Sequence, residues 1–356
     1  MTIYRLEPGV QHYAWGDTHF IPELLGIDNV DGKPYAELWL GTHQDLPSHV
    51  EVEGERWLLS EVLEDELPYL FKILSAQKPL SIQAHPSEEQ AREGFARESA
   101  EGVPVDAPHR NYRDEHHKPE LLCALTDFYV LRGFRPDPPP FPGSSLKELY
   151  ERLMTLPQDE VDAMLSPKIE ELKGGKYGKE DREYWVLRCH EEFSDEGHYD
   201  RGLFSVYLLN LMRLRPGDSI YLGAGTLHAY LEGSGVEIMA NSNNVLRAGL
   251  TKKHIDIAEL LKTVDFVGEE PGVLHPVHTS DSEWKYETPA HEFELRRIES
   301  PHENDADHGP EILLVVDGEA IIGPYHVRRG EAVCISGGEA YAVDGFATIY
   351  KATVPR

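Results

Sequence analysis

The chain has 356 residues, of which 40% are hydrophobic and 27% are charged, so it can bury a sizeable core and lacks the composition of a disordered protein. Its 34 Lys and Arg residues against 63 Asp and Glu residues give a net charge of −29. This charge excludes non-specific binding to nucleic acid, and an anionic substrate would need a local basic pocket. The sequence has no run of about 18 uncharged apolar residues and no visible secretory signal, so we expect no membrane partner. Its three Cys residues form no CxxC pair, which favours a reducing cytoplasm.

The first third of the chain is predicted to be mainly β-structure. Strand formers bounded by Pro and Gly occupy residues 35–43, 69–86 and 120–134. Between the last two segments, Ser87 and Gln90 have the spacing of a capping box, which predicts a helix from Ser87 to Glu101. The polar residues 102–118, rich in His and Arg, are predicted to form a loop.

A helical block then interrupts the strands. After the Pro-rich residues 135–143, apolar residues recur with helical spacing over residues 144–156, 160–175 and 181–193. Strand patterns resume at Leu203, and one further helix is predicted over residues 254–266.

The chain contains two strand-and-turn segments of similar rhythm, Arg215 to Gly233 and Arg328 to Gly345, which indicate two jelly-roll-like β units of similar design. We therefore predict a mainly β fold with a small helical insertion. The predicted units are residues 1–142 together with 204–266, the helical insertion 143–203, and the C-terminal unit 267–356.

Three strand-like segments place polar side chains two residues apart, so that they share one face of a strand. These side chains include Gln83, His85, Glu120 and His228. Two imidazoles, a carboxylate and an amide oxygen suit a divalent ion such as zinc, although an amide is a less common zinc ligand. Since the chain has 18 His residues, scattered surface or hydrogen-bonded histidines are the alternative that spacing alone leaves open.

A second candidate is the basic segment around Arg247, where Asn, Arg, Gly and Lys residues lie close together in an otherwise acidic chain. Composition alone favours a solvated turn here over an anion pocket. No P-loop, no GxGxxG segment followed by a helix and no GxSxG elbow is present, so nucleotide binding and this type of serine hydrolysis have no support.

At these same residues the sequence resembles the type I phosphomannose isomerases, also called mannose-6-phosphate isomerases. The resemblance covers nearly the whole chain in order, through YAWG (13–16), ELWLGTH (37–43), KPLSIQAHP (78–86), HHKPELLCALTDFYVLRGF (116–134) and the long segment 217–256 that includes GTLHAY and NVLRAGLT. It implies a zinc-dependent aldose–ketose isomerase, with one Zn²⁺ per chain, that interconverts mannose 6-phosphate and fructose 6-phosphate. It also implies cupin-type jelly rolls, of which the first is the catalytic one.

Site residues are carried over position by position from this resemblance. The family's metal ligands match Gln83, His85, Glu120 and His228, its catalytic arginine matches Arg247, and its active-site lysine and acid match Lys118 and Glu237. The resemblance further implies a phosphate-binding Ser81, pocket lysines Lys72 and Lys253, and wall aromatics Tyr230 and Trp15.

The chain departs from the family pattern at three of these segments. Asn243 stands where many relatives have Asp, so a carboxylate near Arg247 is replaced by an amide. Lys252 stands where many have Pro, so the match of Lys253 rests on register alone, and Ala84 replaces a common Cys on the face away from the metal. The sequence lacks the pyrophosphorylase half of bifunctional relatives, so we expect one activity only.

The expected chemistry moves a carbonyl from C1 to C2 through an enediolate, whose charge a dication and Arg247 would stabilise. Three bases remain open from the sequence: Lys118, Glu237 and a metal-bound water, with a slight preference for Lys118 because it shares a strand face with Glu120. A non-catalytic sugar-phosphate-binding cupin is the alternative function, and a metal-dependent dioxygenase on the same fold is a third. We expect the chain to act as a monomer in the cytoplasm on a sugar-phosphate substrate.

Overall fold

The structure is a computed structural model that describes residues 2–63, 66–138, 145–195, 197–305 and 308–355. The boundary predicted between residues 142 and 143 lies outside the described residues, so the division into three units stays a prediction. Every helix in the described ranges is too short or too polar to span a bilayer.

Strands make up most of the regular structure. The strands of the first half are β1 Ile3–Glu7, β2 Gly9–Gln11, β3 Glu37–Leu40, β4 His49–Val52, β5 Glu55–Leu58, β6 Tyr69–Ala76, β7 Gln83–Ala84, β8 Glu120–Ala124 and β9 Phe128–Phe134. Those of the second half are β10 Leu209–Leu214, β11 Ser219–Leu222, β12 His228–Ala240, β13 Leu246–Arg247, β14 Val277–Ser280, β15 Glu283–Tyr286, β16 Glu294–Glu299, β17 His302–Asn304, β18 Glu311–Ile322, β19 Tyr325–Arg328, β20 Ala332–Ile335 and β21 Tyr341–Thr353.

Helices account for less of the regular structure, and four of them follow one another between Leu146 and Leu208. They are α1 Phe20–Leu25, α2 Leu59–Leu63, α3 Glu88–Ala100, α4 Leu146–Thr155, α5 Gln158–Leu172, α6 Arg182–Phe193, α7 Gly202–Leu208 and α8 Ile257–Thr263. The prediction of a mainly β protein with a helical insertion is confirmed.

Two antiparallel sheets organise the described strands. One contains β10-β9-β12-β6-β3-β2 in that order, with β7, β8, β11 and β13 attached, and the other contains β14-β15-β16-β21-β18-β20-β1-β4-β5, with β17 and β19 attached. The two similar segments of the sequence form equivalent pieces, a four-residue strand followed by a turn and a 13-residue strand: β11 with β12, and β20 with β21.

Strand β12 connects the two halves of the first sheet. Its beginning pairs with β7 and β9, and its end pairs with β6 and β8. Between the two halves lies Gly233, with φ of 140°, where an added Cβ would lie 2.7 Å from the Phe128 Cα. A side chain does not fit there, and the glycine lets one strand carry polar side chains from two parts of the sheet into the same interior.

The helices form a common core with the first sheet. Trp185 of α6 and Leu153 of α4 pack in one apolar cluster with Leu131 of β9, and Ile82 and Ala84 belong to the same cluster. Because Ile82 and Ala84 are fully buried on this side, the residues that alternate with them are directed to the opposite side. The helical layer thus orients the segment that carries Gln83 and His85.

Two local predictions can be compared directly with the structure. The helix after Pro86 is confirmed, since Ser87 and Gln90 form the capping box in both directions at the start of α3. The prediction that strands resume at Leu203 is wrong, because Gly202–Leu208 is helix α7 and the strand begins only at Leu209. Nearly every residue of α7 is buried, so the helix has no polar face and its apolar run could not be distinguished from a buried strand.

The interior of the C-terminal unit carries a network of ion pairs instead of a uniformly apolar core. Lys351 is 1% exposed, and its Nζ lies 2.7 Å from Glu283 Oε1 and 3.7 Å from Glu311 Oε1. Arg296 Nη1 lies 2.6 Å from Glu283 Oε2. Burial would raise the pKa of Glu283, but Lys351 and then Arg296 outweigh it and lower the pKa from 4.5 to about 2.

We expect the Glu283→Gln substitution to destabilise the protein at neutral pH by about 3 kcal/mol. The reason is that it removes the negative charge that pairs with the cations Lys351 and Arg296. A carboxyl whose pKa is lowered by folding stabilises the fold above its unfolded pKa, and this contribution disappears as the pH falls. The difference in urea midpoint between wild type and variant should therefore be largest above pH 5 and shrink as the pH falls from about 4.5 to about 2.

The exposed Glu55→Gln substitution is the control, and it should leave the urea midpoint unchanged at neutral pH. A wild-type-to-Glu283→Gln difference that stays constant from pH 7 to pH 3 would contradict the assigned ion pairs.

Candidate metal centre and active site

Short strands at one end of the first sheet bring distant polar residues into one row. His228, the first residue of β12, is opposite Gln83 of β7, and Gln83 is in turn opposite Arg247 of β13. On the other side of β12, Glu120 begins β8 and is paired with Met239. Four segments that are far apart in the sequence therefore come together here.

The four predicted metal ligands lie within contact of one another. His85 Nε2 is 3.3 Å from Glu120 Oε1, and His228 Nε2 is 3.4 Å from Glu120 Oε2. Gln83 Nε2 is 3.2 Å from His228 Nε2. Within the described ranges, His85, Glu120 and His228 are the one group of three or more His, Cys, Asp or Glu residues whose ligand atoms converge closely enough to hold a metal ion.

A backbone carbonyl oxygen fixes the orientation of each imidazole. His85 Nδ1 lies 2.8 Å from the Asn244 carbonyl oxygen, and His228 Nδ1 lies 2.9 Å from the Thr226 carbonyl oxygen. A carbonyl oxygen can only accept, so both Nδ1 atoms must donate and both Nε2 atoms carry a lone pair in the neutral ring. This is how proteins commonly prepare histidines that bind a metal through Nε2.

Two of the candidate ligand atoms are buried without hydrogen-bond partners. His85 is 0% exposed and Glu120 is 2% exposed, yet His85 Nε2 and Glu120 Oε2 have no hydrogen bond. Buried polar atoms normally find a partner, so unpaired atoms that face one another indicate a place for a cation. Two imidazole nitrogens, a carboxylate and an amide fit a borderline divalent ion.

Protonation favours the same conclusion. Burial lowers the pKa of His85, so the ring stays neutral and able to bind a metal. Burial would raise the pKa of Glu120, but the nearby His85 and the charge of Lys118 outweigh it and hold this pKa well below its usual value. The carboxyl group is therefore ionised.

Lys118 lies next to this group. It precedes β8 and is not part of the strand, but its Nζ is 3.2 Å from Glu120 Oε1 and its side chain is largely buried. The expectation that Lys118 and Glu120 point the same way therefore agrees with the observed contact.

A second charged array lies deeper in the sheet. Lys72 Nζ is 2.6 Å from Glu237 Oε2 and 3.0 Å from Glu37 Oε1, and the Tyr230 hydroxyl donates to Glu237 Oε1 at 2.5 Å. The Trp39 indole donates to Glu37 Oε2 at 2.7 Å. Lys72, Glu237 and Tyr230 were proposed from the resemblance, whereas Glu37 and Trp39 were missed.

The array contains two carboxylates and one lysine, and its members influence one another strongly. Burial opposes the charge of Lys72, but Glu237 and Glu37 outweigh it and raise the pKa of Lys72. Burial raises the pKa of Glu237, and the charge of Glu120 acts in the same direction. The signal for Glu37 in the sequence is a charged residue beside the hydrophobic residues of ELWLGTH, but its ion-pair partner Lys72 is 35 positions away.

Basic residues form a third group, which includes Arg247, the register partner of Gln83. Burial lowers the pKa of Arg247, and the charge of Arg113 lowers it further. Burial likewise lowers the pKa of Lys253, followed by the charges of Arg247 and Arg113. Among the residues that the structure describes, no ion pair joins any of these three cations to a carboxylate, and Arg113 was missed because its loop was predicted only as polar.

Two predicted residues lie at the edges of these groups. Ser81 is half-buried in the turn before β7, where its neighbour Ile82 donates its backbone N–H to the Gly249 carbonyl at 3.0 Å. Trp15 packs beside the apolar cluster that contains Tyr230. Neither side chain contacts the four candidate ligands directly in the described contacts.

Comparison with known proteins gives a consistent result. A family profile described as "Phosphomannose isomerase type I, catalytic domain" matches residues 3–137. The chain is 36% identical to the mannose-6-phosphate isomerase of Salmonella typhimurium over 89% of this chain and 90% of that protein. It is 35% identical to the Escherichia coli protein of the same name over 94% and 95% of the two chains. The human mannose-6-phosphate isomerase is 29% identical over 96% and 95%.

Solved structures show the same likeness in three dimensions. A crystal structure of mannose 6-phosphate isomerase described as holo and zinc bound superposes with a TM-score of 0.88 at 32% identity, covering 100% of both chains. Another, with zinc and yttrium, gives a TM-score of 0.87 at 32% identity and the same coverage. The cupin-type fold expected from the resemblance is thereby confirmed. With its fold, its sequence and the matched catalytic-domain profile in agreement, this chain belongs to the type I phosphomannose isomerase family.

Proposed function

We propose that this protein is a metal-dependent aldose–ketose isomerase that interconverts mannose 6-phosphate and fructose 6-phosphate. The observation that carries the proposal is the buried group of His85, Glu120 and His228, whose ligand atoms converge beside acid–base and cationic side chains while His85 Nε2 and Glu120 Oε2 have no hydrogen-bond partner. The names of the relatives support the same reaction.

Zn²⁺ is the proposed cofactor, held by His85, Glu120, His228 and Gln83. Zinc is named because the donor set fits it and because matched solved structures are described as zinc bound. When bound, a dication supplies charge that stabilises an enediolate and orients the two oxygens of an open-chain sugar.

The protein's own residues divide the remaining work. Arg247, paired in register with Gln83, presents permanent hydrogen-bond donors next to the metal site, where it can stabilise negative charge on the sugar oxygens. Lys253 and Ser81 are proposed to bind the phosphate, and Arg113 adds a third charge to this basic group. Binding at the phosphate fixes the reacting carbons without contact to them.

The proton that moves between C1 and C2 is assigned to Lys118. Both carboxylate oxygens of Glu237 already accept hydrogen bonds or ion pairs, from Tyr230 and from Lys72, which reduces its capacity to take a proton from carbon. Within the described ranges Lys118 Nζ forms one ion pair, with Glu120, and it lies at the edge of the metal site. We propose that Lys72 offsets the charge of Glu37 and Glu237 in the interior while Tyr230 and Trp15 shape the wall of the sugar pocket.

A sugar-phosphate-binding protein without turnover is the weaker alternative. Such a protein would be expected to have lost a ligand or a catalytic cation, whereas this chain retains the four candidate ligands together with Arg247 and Lys118. The lysine and arginine residues also argue against a dioxygenase, which needs open coordination for oxygen and no such cationic set.

We further propose that the enzyme acts as a monomer in the cytoplasm. Cys123, Cys189 and Cys334 are free and buried, which suits a reducing compartment. Light scattering of the purified protein measures the mass in solution and tests the monomer.

The first test removes the metal. Chelation should abolish the conversion of mannose 6-phosphate to fructose 6-phosphate, and zinc should restore it. His228→Ala should lose bound zinc, measured by elemental analysis, while the circular dichroism spectrum is retained because the side chain faces a ligand site. His326→Ala, at the exposed surface, should keep full zinc content and activity. Full turnover by rigorously metal-free protein would overturn the proposed metal dependence.

The second test concerns the phosphate. Lys253→Ala and Arg113→Ala should each raise KM for mannose 6-phosphate roughly tenfold, since a hydrogen bond to a charged group contributes about 1.5 kcal/mol or more. Turnover of unphosphorylated mannose should hardly change. Lys252→Ala is the matched control, because Lys252 is exposed and paired with Asp195 at 2.7 Å. Equal weakening of both substrates would exclude a phosphate role for the substituted residue.

The third test separates the two candidate bases by exchange of the C2 proton with deuterated solvent. Lys118→Met should abolish exchange and reduce kcat by about 10²- to 10⁴-fold, the usual contribution of a general base. Glu237→Gln should slow turnover but leave exchange measurable. Zinc content must be equal in both variants and in wild type. Exchange at wild-type rates in the two single variants would show that neither residue is the base.

A further inference from the structure

Asn244 is a fully buried amide that none of the roles above uses. It lies in the turn between β12 and β13, and it is 0% exposed. Its backbone carbonyl accepts the Nδ1 hydrogen bond of His85 at 2.8 Å, which directs His85 Nε2 to the ligand site. The same residue therefore fixes one candidate zinc ligand through its main chain.

The side chain of Asn244 binds a different segment, the loop that leads to Lys118 and Glu120. Its Oδ1 accepts the backbone N–H of Arg113 at 2.6 Å and that of Asp114 at 3.2 Å. Its Nδ2 lies 2.9 Å from the Asp114 carbonyl, 3.1 Å from Asp114 Oδ1 and 2.8 Å from the His116 carbonyl. One buried amide thus satisfies main-chain groups at three positions of a loop that has no helix or strand of its own.

The loop holds the turn in return. Asp114 Oδ1 accepts the Ser242 hydroxyl at 2.8 Å, and Asp114 Oδ2 accepts the backbone N–H of Asn243 at 2.8 Å. Ser242 is also buried, and its hydroxyl accepts the backbone N–H of Asn244 at 3.2 Å. We call Asp114, Ser242 and Asn244 the clasp.

The clasp joins the separate segments that supply the metal site. Lys118 follows His116 of the loop by two residues, and Glu120 follows it by four. Arg247 follows Asn244 by three residues, and the Asn244 carbonyl accepts the hydrogen bond of His85. We propose that Asn244 is a positioning residue for zinc, which holds His85 and the Glu120 segment at the separation the ion requires. The inference rests on the proposed metal site, and it assigns a role in zinc binding to a residue that is not itself a ligand.

The physical reason is preorganisation. Ligands on independent segments must be ordered when the ion binds, and the cost of that ordering lowers the affinity unless the protein has ordered them beforehand. Loss of a partner that orients a metal ligand typically lowers metal affinity 10- to 100-fold. Asn244 makes its contacts to the loop through the side chain, so substitution removes the connection while the carbonyl that holds His85 remains.

Zinc affinity of metal-stripped protein, measured by competition with a chromophoric chelator, tests the proposal without reference to activity. We expect Asn244→Ala to weaken zinc binding by 10- to 100-fold. The matched control is Asn210→Ala, because Asn210 Nδ2 also bonds several backbone carbonyls, at 3.0 to 3.3 Å, but joins β10 to β9 and Glu269. This control should lower the urea midpoint without changing zinc affinity.

The possible outcomes are distinct. A folded Asn244→Ala protein with wild-type zinc affinity overturns the inference, as does an equal loss in Asn210→Ala. If Asn244→Ala fails to fold, Ser242→Ala provides the test, because it removes the hydroxyl that bonds Asp114 and the Asn244 backbone. A loss of at least threefold in zinc affinity supports the clasp, and unchanged affinity overturns it. Wild-type protein that binds no zinc would instead overturn the proposed metal site, and the inference with it.

Discussion

The structure depends on a set of buried ligand atoms that the protein itself leaves unpaired. His85 Nε2 and Glu120 Oε2 lie in the interior of the first sheet without hydrogen bonds, facing His228. Such atoms are costly to bury unless a cation compensates them. The surrounding features serve to keep them there: backbone carbonyls hold both imidazoles from behind, and the helical core buries Ile82 and Ala84 on the reverse side of the ligand segment.

Charge is distributed differently inside the protein than over the whole chain. With a net charge of −29, the protein repels an anionic substrate. Dissolved salt screens this repulsion, so it acts only when the substrate is close to the protein surface. Arg247, Lys253 and Arg113 lie near one another, and none of them forms an ion pair with a carboxylate in the described part of the chain, whereas Lys72 contacts both Glu37 and Glu237. The cations proposed to bind the phosphate are thus distinct from Lys72, whose charge offsets that of buried carboxylates.

The two β units show how one design can carry different interiors. Each contains a four-residue strand, a turn and a 13-residue strand, and the long strand begins with His228 in the first unit and with Tyr341 in the second. In the second unit, Lys351, Glu283 and Arg296 compensate one another by ion pairs, and no convergent metal-ligand group occurs there within the described ranges. The fold alone does not specify the chemistry, which depends on whether the buried polar atoms are paired among themselves.

The sequence by itself determined what depends on near neighbours: the mainly β character, the capping box of α3, and the alternation that separates Gln83 and His85 from Ile82 and Ala84. Its motifs also identified the family and the candidate ligands, because those residues lie in short segments with recognisable spacing. Only the tertiary structure decided that Gly202–Leu208 is a helix, since burial on all sides removes the periodicity that distinguishes helix from strand. It also decided the contacts of Glu37, Arg113 and Asn244, whose partners lie tens to hundreds of positions away. Contacts of that kind are set by strand register and packing, which a single sequence does not encode as a local pattern.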